Sequence, residues 1–154
     1  MNYEELLIEA DENGVSVDED FPFKSTMKGL YIDGNIALAS SLETTAEKAC
    51  ILAEELGHHF TAVGNITDQS STSNRKQERQ GRIIAYNKLI GLSGIVSAYK
   101  VGCRNTHEMA EHLEVTEEFL LEALDCYRQK YGTHTCIDNY TVYFEPTIGV
   151  FEVI

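Results

Sequence analysis

Small and apolar side chains recur at helical spacing between residues 46 and 60. Ala46, Ala49, Cys50, Ala53, Gly57 and Phe60 form one continuous stripe, with Ile51, Glu54, Glu55, His58 and Ala62 on the other side. A helix that is apolar around most of its circumference is buried between layers. Thr44 and Glu47 stand at the S/T-x-x-E spacing of a capping box, and Gly64 is the expected stop. Upstream, residues 1–14 predict a short helix with Tyr3, Leu6, Leu7 and Ala10 on one stripe. Residues 15–24 predict a connector, broken by Pro22 and anchored to the core by Val15, Val17, Phe21 and Phe23. Residues 30–32 and 36–38 flank Asp33-Gly34-Asn35, and Asp-Gly between apolar runs is a strong hairpin signal.

Downstream, the polar stretch 64–74 predicts a loop, and residues 74–90 a second helix. Glu78, Gly81, Arg82, Ala85 and Leu89 share a face of it, and the small Gly81 and Ala85 allow a close approach to another helix. Its first half carries Arg75, Lys76, Arg79 and Arg82, expected to be a solvated face. Residues 92–103 predict a further helix. Residues 106–113, a turn at 114–116 and residues 117–131 predict a helix–turn–helix-like pair, and residues 140–144 and 150–154 two short strands. The expected fold class is α+β: a zincin-like helical core with a small antiparallel sheet and a C-terminal helix–turn–helix-like unit. The expected organisation is a single domain over 1–154, with the hairpin and organising helices in 1–91 and the tail and closing strands in 92–154.

Composition narrows the function classes. The formal charge of −13 argues against direct contact with nucleic acid, because phosphate binding is largely a cationic effect. It suits a basic protein partner. The helix that would have to read DNA carries Glu117, Glu118, Glu122 and Asp125 near its start, which disfavours a DNA-binding regulator. No apolar run approaches the ~18 residues of a membrane span, and the acidic N-terminus has the wrong charge for a signal peptide. Cys50, Cys103, Cys126 and Cys136 are irregularly spaced without CxxC and are expected to be reduced thiols, so the expected location is the cytoplasm.

The candidate chemistry lies in EELGHH, residues 54–59. Glu54 and His58 are four apart and stack on one helix face, with Glu55 about 100° round. This is the geometry of an HExxH helix, in which two ligands on adjacent turns hold a metal and the intervening Glu is general base toward water. Here Glu54 stands in the first ligand position, and zinc accepts carboxylate oxygen as well as imidazole.

The order of these features resembles the ImmA/IrrE family of metallopeptidases, in the short form associated with phages and mobile elements. The likeness rests on GLYIDGNIALAS, EKACILAEELGHHF, GNITDQSS and KQERQGRIIAYNKLI, followed by the paired helices. The resemblance implies an endopeptidase acting on a phage-type helix–turn–helix repressor. It implies Glu55 as general base, His58 as a metal ligand, and Glu78 as the downstream acidic ligand, three before Gly81 and seven before Ala85. Glu54 takes the place of the family's usual first histidine. Two carboxylates and one imidazole would neutralise a divalent cation, giving a less acidic bound water and letting manganese or iron compete better with zinc. A weaker or more metal-promiscuous hydrolase is therefore expected. The alternative is a catalytically silent relative that binds a repressor or another regulator without cleavage.

Other residues compete with this set. His59 could serve as a ligand paired with Glu55, and Asp68 could replace Glu78. Tyr86, Arg82 and His59 are within reach as oxyanion stabilisers. His107 and His112, five apart, diverge around their helix and are expected to be structural, and His134 falls in an expected loop.

Overall fold

The computed structural model describes residues 1–62 and 71–154. Asp68 and the expected stop at Gly64 lie outside these residues, as does most of the expected polar loop. Helix α1 (Tyr3–Glu12) is capped by Asn2, whose side chain accepts from the Glu5 amide. Three strands follow, β1 (Ser16–Phe21), β2 (Gly29–Ile32) and β3 (Asn35–Ala39), in the sheet order β1-β3-β2. The hairpin between β2 and β3 turns on Asp33 and Gly34, both at positive φ (46° and 78°), as Asp-Gly requires. The hairpin expected from the sequence is present, with β2 longer by one residue at its outer end and β3 by one residue at each end.

Strand β1 corrects the expected connector. It pairs in parallel with β3, so this sheet is mixed rather than antiparallel. The chain reverses after β1 and lays β2 at the far edge, leaving a slot that β3 fills. Phe21 is also corrected. A register shift between Asp18 and Phe21 breaks the alternation, leaving Phe21 40% exposed with its ring 4.7 Å from that of Phe23.

Helix α2 (Thr45–Ala62) lies under this sheet and against α1 and α3 (Ser71–Leu89). Leu6, Ile36, Leu38, Leu52 and Leu56 are fully buried where these elements meet. Helix α1 is tied to α3 by an ion pair between Glu9 and Lys88, and the Lys88 ammonium lies 4.9 Å from the Phe60 ring centroid. Both side chains are only 19% exposed. Removing one partner strands the other charge, so Glu9→Ala is expected to cost about 1–3 kcal/mol. Urea unfolding would check it, and an unchanged midpoint would show that the pair contributes nothing.

The chain breaks at Gly91 (φ 63°) into α4 (Gly91–Lys100), then α5 (Thr106–Leu113) and α6 (Glu117–Tyr131). Tyr127 of α6 donates to Asn87 at 3.0 Å and accepts from the Gly91 amide at 3.1 Å, pinning α6 to the α3–α4 junction. The paired helices α5 and α6 have the expected bounds, with Glu114 in the left-handed region between them. Three closing strands, β4 (His134–Ile137), β5 (Tyr140–Tyr143) and β6 (Gly149–Glu152), form a second, antiparallel sheet. The expected two strands correspond to β5 and β6. Strand β4 corrects the loop assigned around His134, whose ring stacks on Tyr143 at 5.1 Å. The structure is α+β, with two small sheets in place of the one expected.

Candidate metal centre

Helix α2 starts with half of the expected capping box: the Glu47 amide donates to the Thr44 hydroxyl at 3.1 Å, while the Glu47 carboxylate accepts from that hydroxyl at 3.1 Å rather than from the Thr44 amide. Its second half crosses α3 where two glycines face each other. A Cβ on Gly57 would run into the Gly81 carbonyl, and one on Gly81 would come within 2.6 Å of the His58 ring. Small residues at Gly57 and Gly81 therefore set the separation of the two helices. The close approach expected from Gly81 and Ala85 is realised, and it lays the His58 imidazole against the backbone of α3.

Glu55, 8% exposed, is the one buried charged side chain among the described residues. Its carboxylate meets His58 Nδ1 at 3.1 Å, which partners a charge that would otherwise be costly to bury. Above it lies β2. A Cβ on Gly29 would stand 2.5 Å from Ile51 Cγ2 and 3.2 Å from Glu55 Oε1. Glycine at this position is what lets the edge strand come down onto the carboxylate. Two residues along β2, the Tyr31 hydroxyl meets His59 Nδ1 at 2.7 Å. His59 is thus engaged with the sheet, and it is His58 that pairs with Glu55.

Glu54 is half-buried beside them. Burial first, then the charges of Glu122 and Glu55, push its carboxyl up to about 7, against the opposing pull of His58 and Arg82. The His58 imidazole is raised by its hydrogen bond to Glu55, against burial, with further help from the charges of Glu55, Glu78 and Glu54. Glu78 is itself exposed on α3. Glu54 and Glu78 therefore both act electrostatically on His58, but among the described residues no three His, Cys, Asp or Glu side chains converge closely enough to enclose a metal ion.

The donor set nonetheless fits a divalent cation. A half-buried acid held toward its neutral form by burial, and further by two neighbouring acids, is a group whose charge a cation would stabilise. One imidazole and two carboxylates are ligand types that zinc, manganese and iron accept. Glu54, His58 and Glu78 are the residues expected from the sequence to hold it, although the described geometry does not bring the three together.

A stability signature follows. Both folded-state values lie above the ordinary ones, so each group favours the metal-free fold at low pH and loses that contribution as pH rises through its folded value. For Glu54 the loss runs from about pH 4.5 to about 7. Chelator-treated protein is expected to melt several degrees lower at pH 8 than at pH 6, and Glu54→Gln to recover much of that difference. A lower melting point for Glu54→Gln at pH 8 would contradict the assignment.

The IrrE N-terminal-like domain of the M78 peptidases matches residues 9–125. The chain belongs to that family. The M78 match covers the mixed sheet, α2, α3 and most of α6, so Glu54, Glu55, His58, Glu78 and Glu122 all fall inside it. Membership of a metallopeptidase family implies a metal cofactor, typically zinc. No curated protein and no solved structure matches the chain.

Three residues around the site were missed as site components from sequence. Glu122 of α6 faces Glu54 and accepts from the Tyr86 hydroxyl at 3.4 Å. Gly29 and Tyr31 arrive on β2. None carries a local signal, because each meets α2 only through tertiary packing. Tyr86, one of the expected oxyanion stabilisers, is held by Glu122, and burial with that neighbour pushes its hydroxyl up to about 12. The remaining histidines behave structurally: His107 faces Glu111 at 3.0 Å and Glu117 at 3.6 Å, and His112 meets Ser97 at 2.9 Å. Among the described residues no helix is long and apolar enough to cross a membrane.

Proposed function

We propose that this M78 family member is a metal-dependent endopeptidase whose substrate is a phage-type helix–turn–helix repressor. The observation that carries the proposal is Glu55: a buried carboxylate, held by His58, beneath an edge strand, within the family match. Glu54, His58 and Glu78 are the ligands in this reading, for zinc or, given two carboxylates, for manganese or iron. When bound, the cation supplies Lewis acidity toward water and toward the scissile carbonyl.

The chain's own residues do the rest. Glu55 accepts the proton of the attacking water and returns it to the leaving amine. His58 holds the Glu55 carboxylate in place through Nδ1. Among the described residues the outer edge of β2 has no strand partner, and it offers an extended peptide a row of backbone donors and acceptors. Gly29, without a side chain, lets that peptide lie close over Glu55. The acidic surface of a chain with net charge −13 suits a basic, DNA-binding substrate and speeds its encounter. Cytoplasmic action accords with such a substrate and with four free cysteines.

The experiment is incubation of the full chain with the repressor encoded beside it, with and without chelator. Fragments that vanish on chelation are expected. Glu54 in the first ligand position favours the second reading, a silent relative that captures the regulator intact. Stable binding of uncut repressor by fully metal-loaded protein would establish that reading instead. One tightly held zinc that resists exchange with manganese would overturn the expected metal promiscuity.

A further inference from the structure

A groove of about 590 Å³ opens beside Glu54, between the first half of α2 and the start of α6. Its size is that of a ligand site, roomy enough for a long side chain with its flanking backbone. Its floor is apolar: Leu42, Cys50 and Phe119 are buried there at 6%, 5% and 3% exposure, and Ile51 completes it. Its rim is acidic. Glu118 and Glu122 are four apart on α6 and project from one face, and Glu47 and Glu54 line the α2 side. Lys28 is the one cation among the lining residues, set against four carboxylates. Glu47 is partly engaged by Thr44, while Glu118 is exposed at the mouth.

An apolar floor under a negative rim matches one kind of side chain, a long aliphatic stem ending in a cation. Lysine and arginine bury their methylenes along apolar surface and keep the charged head at its edge. Arginine adds bidentate hydrogen bonding to carboxylates, which Glu118 and Glu122 are spaced to accept. Norleucine would use the floor but leave the rim unanswered, and glutamate would be repelled.

We propose that the groove between α2 and α6 is a substrate subsite that takes an arginine or lysine side chain adjacent to the cleaved bond. The assignment rests on the peptidase reading, because Glu54 belongs both to the groove wall and to the proposed metal centre. It makes Glu118 a specificity-determining residue that lies outside the catalytic set.

The test uses the full chain carrying Glu55→Gln and loaded with zinc, so that peptides bind without turnover. Fluorescein-labelled octapeptides of alanine and leucine, carrying arginine, norleucine or glutamate at one scanned position, are titrated at physiological salt and followed by anisotropy. The arginine peptide is expected to bind about tenfold more tightly than the norleucine peptide, with glutamate weakest. Adding Glu118→Lys should erase that preference, and Glu118→Gln should reduce it. Glu12→Lys, the same charge change at the exposed end of α1, should leave it intact. Equal affinities for the three peptides, no measurable binding, or equal loss with Glu12→Lys would overturn the assignment. Cleavage by the unsubstituted chain is read separately. Arginine-selective binding without cleavage supports the groove and removes the peptidase reading; cleavage without arginine preference does the reverse.

Discussion

Glu55→Gln is expected to abolish cleavage of the repressor, by about 10²- to 10⁴-fold in rate, while leaving metal content and fold intact. The amide has the shape of the carboxylate and can still meet His58 Nδ1, so packing at this position survives. It cannot accept a proton. Glu55 is 8% exposed, and replacing a buried charge with a neutral isostere removes a desolvation cost. The melting temperature should therefore hold or rise as activity disappears. That opposition separates a chemical role from a structural one. A variant that cuts at the original rate would refute Glu55 as the base; one that loses activity together with its fold would show Glu55 to be a packing residue.

The second large effect is on stability, at the crossing of α2 and α3. Gly57→Ala places a methyl group against the Gly81 carbonyl, and neither backbone can yield without parting the helices. Alanine's better helix propensity returns about 1 kcal/mol, but overpacking against backbone costs more. A net loss of about 2 kcal/mol or more is expected, lowering the melting point by about 4–8 °C. Separation of the helices would also move His58 away from α3, so metal affinity should fall with stability. Gly94→Ala provides the contrast. Its new methyl would meet side chains and no backbone, Leu113 at 3.2 Å and Ile90 at 3.8 Å, so a neutral or mildly stabilising effect is expected. Equal melting points for the two variants would show that the glycine crossing is not tight.

These two predictions draw on different kinds of information. The Glu54-Glu55-His58 arrangement was legible from spacing alone, because residues three and four apart on one helix must neighbour each other. The bounds of α5 and α6, the capping box at Thr44 and the turn at Asp33-Gly34 were legible for the same reason: each is a local preference acting over a few residues. Gly81 announced a close approach, although its partner Gly57 could not be named from sequence.

What the chain did not disclose is carried by contacts distant in sequence. Strand β1, SVDEDF, is too acidic and too exposed to read as a strand, and it exists because β3 supplies its hydrogen bonds. Strand β4, HTCI, likewise borrows its pairing from β5. Phe21 had the hydrophobicity of a core residue, but a register shift decided that it would face solvent. Glu122 looked from sequence like one more solvated acid, and only the docking of α6 on α3 brings it to Glu54. By itself the sequence determined the helices and the spacing of Glu54, Glu55 and His58 within α2, since periodicity and capping are properties of adjacent residues. The tertiary structure alone decided which acids meet, which strand covers Glu55 and where the groove opens, because those depend on how whole elements pack.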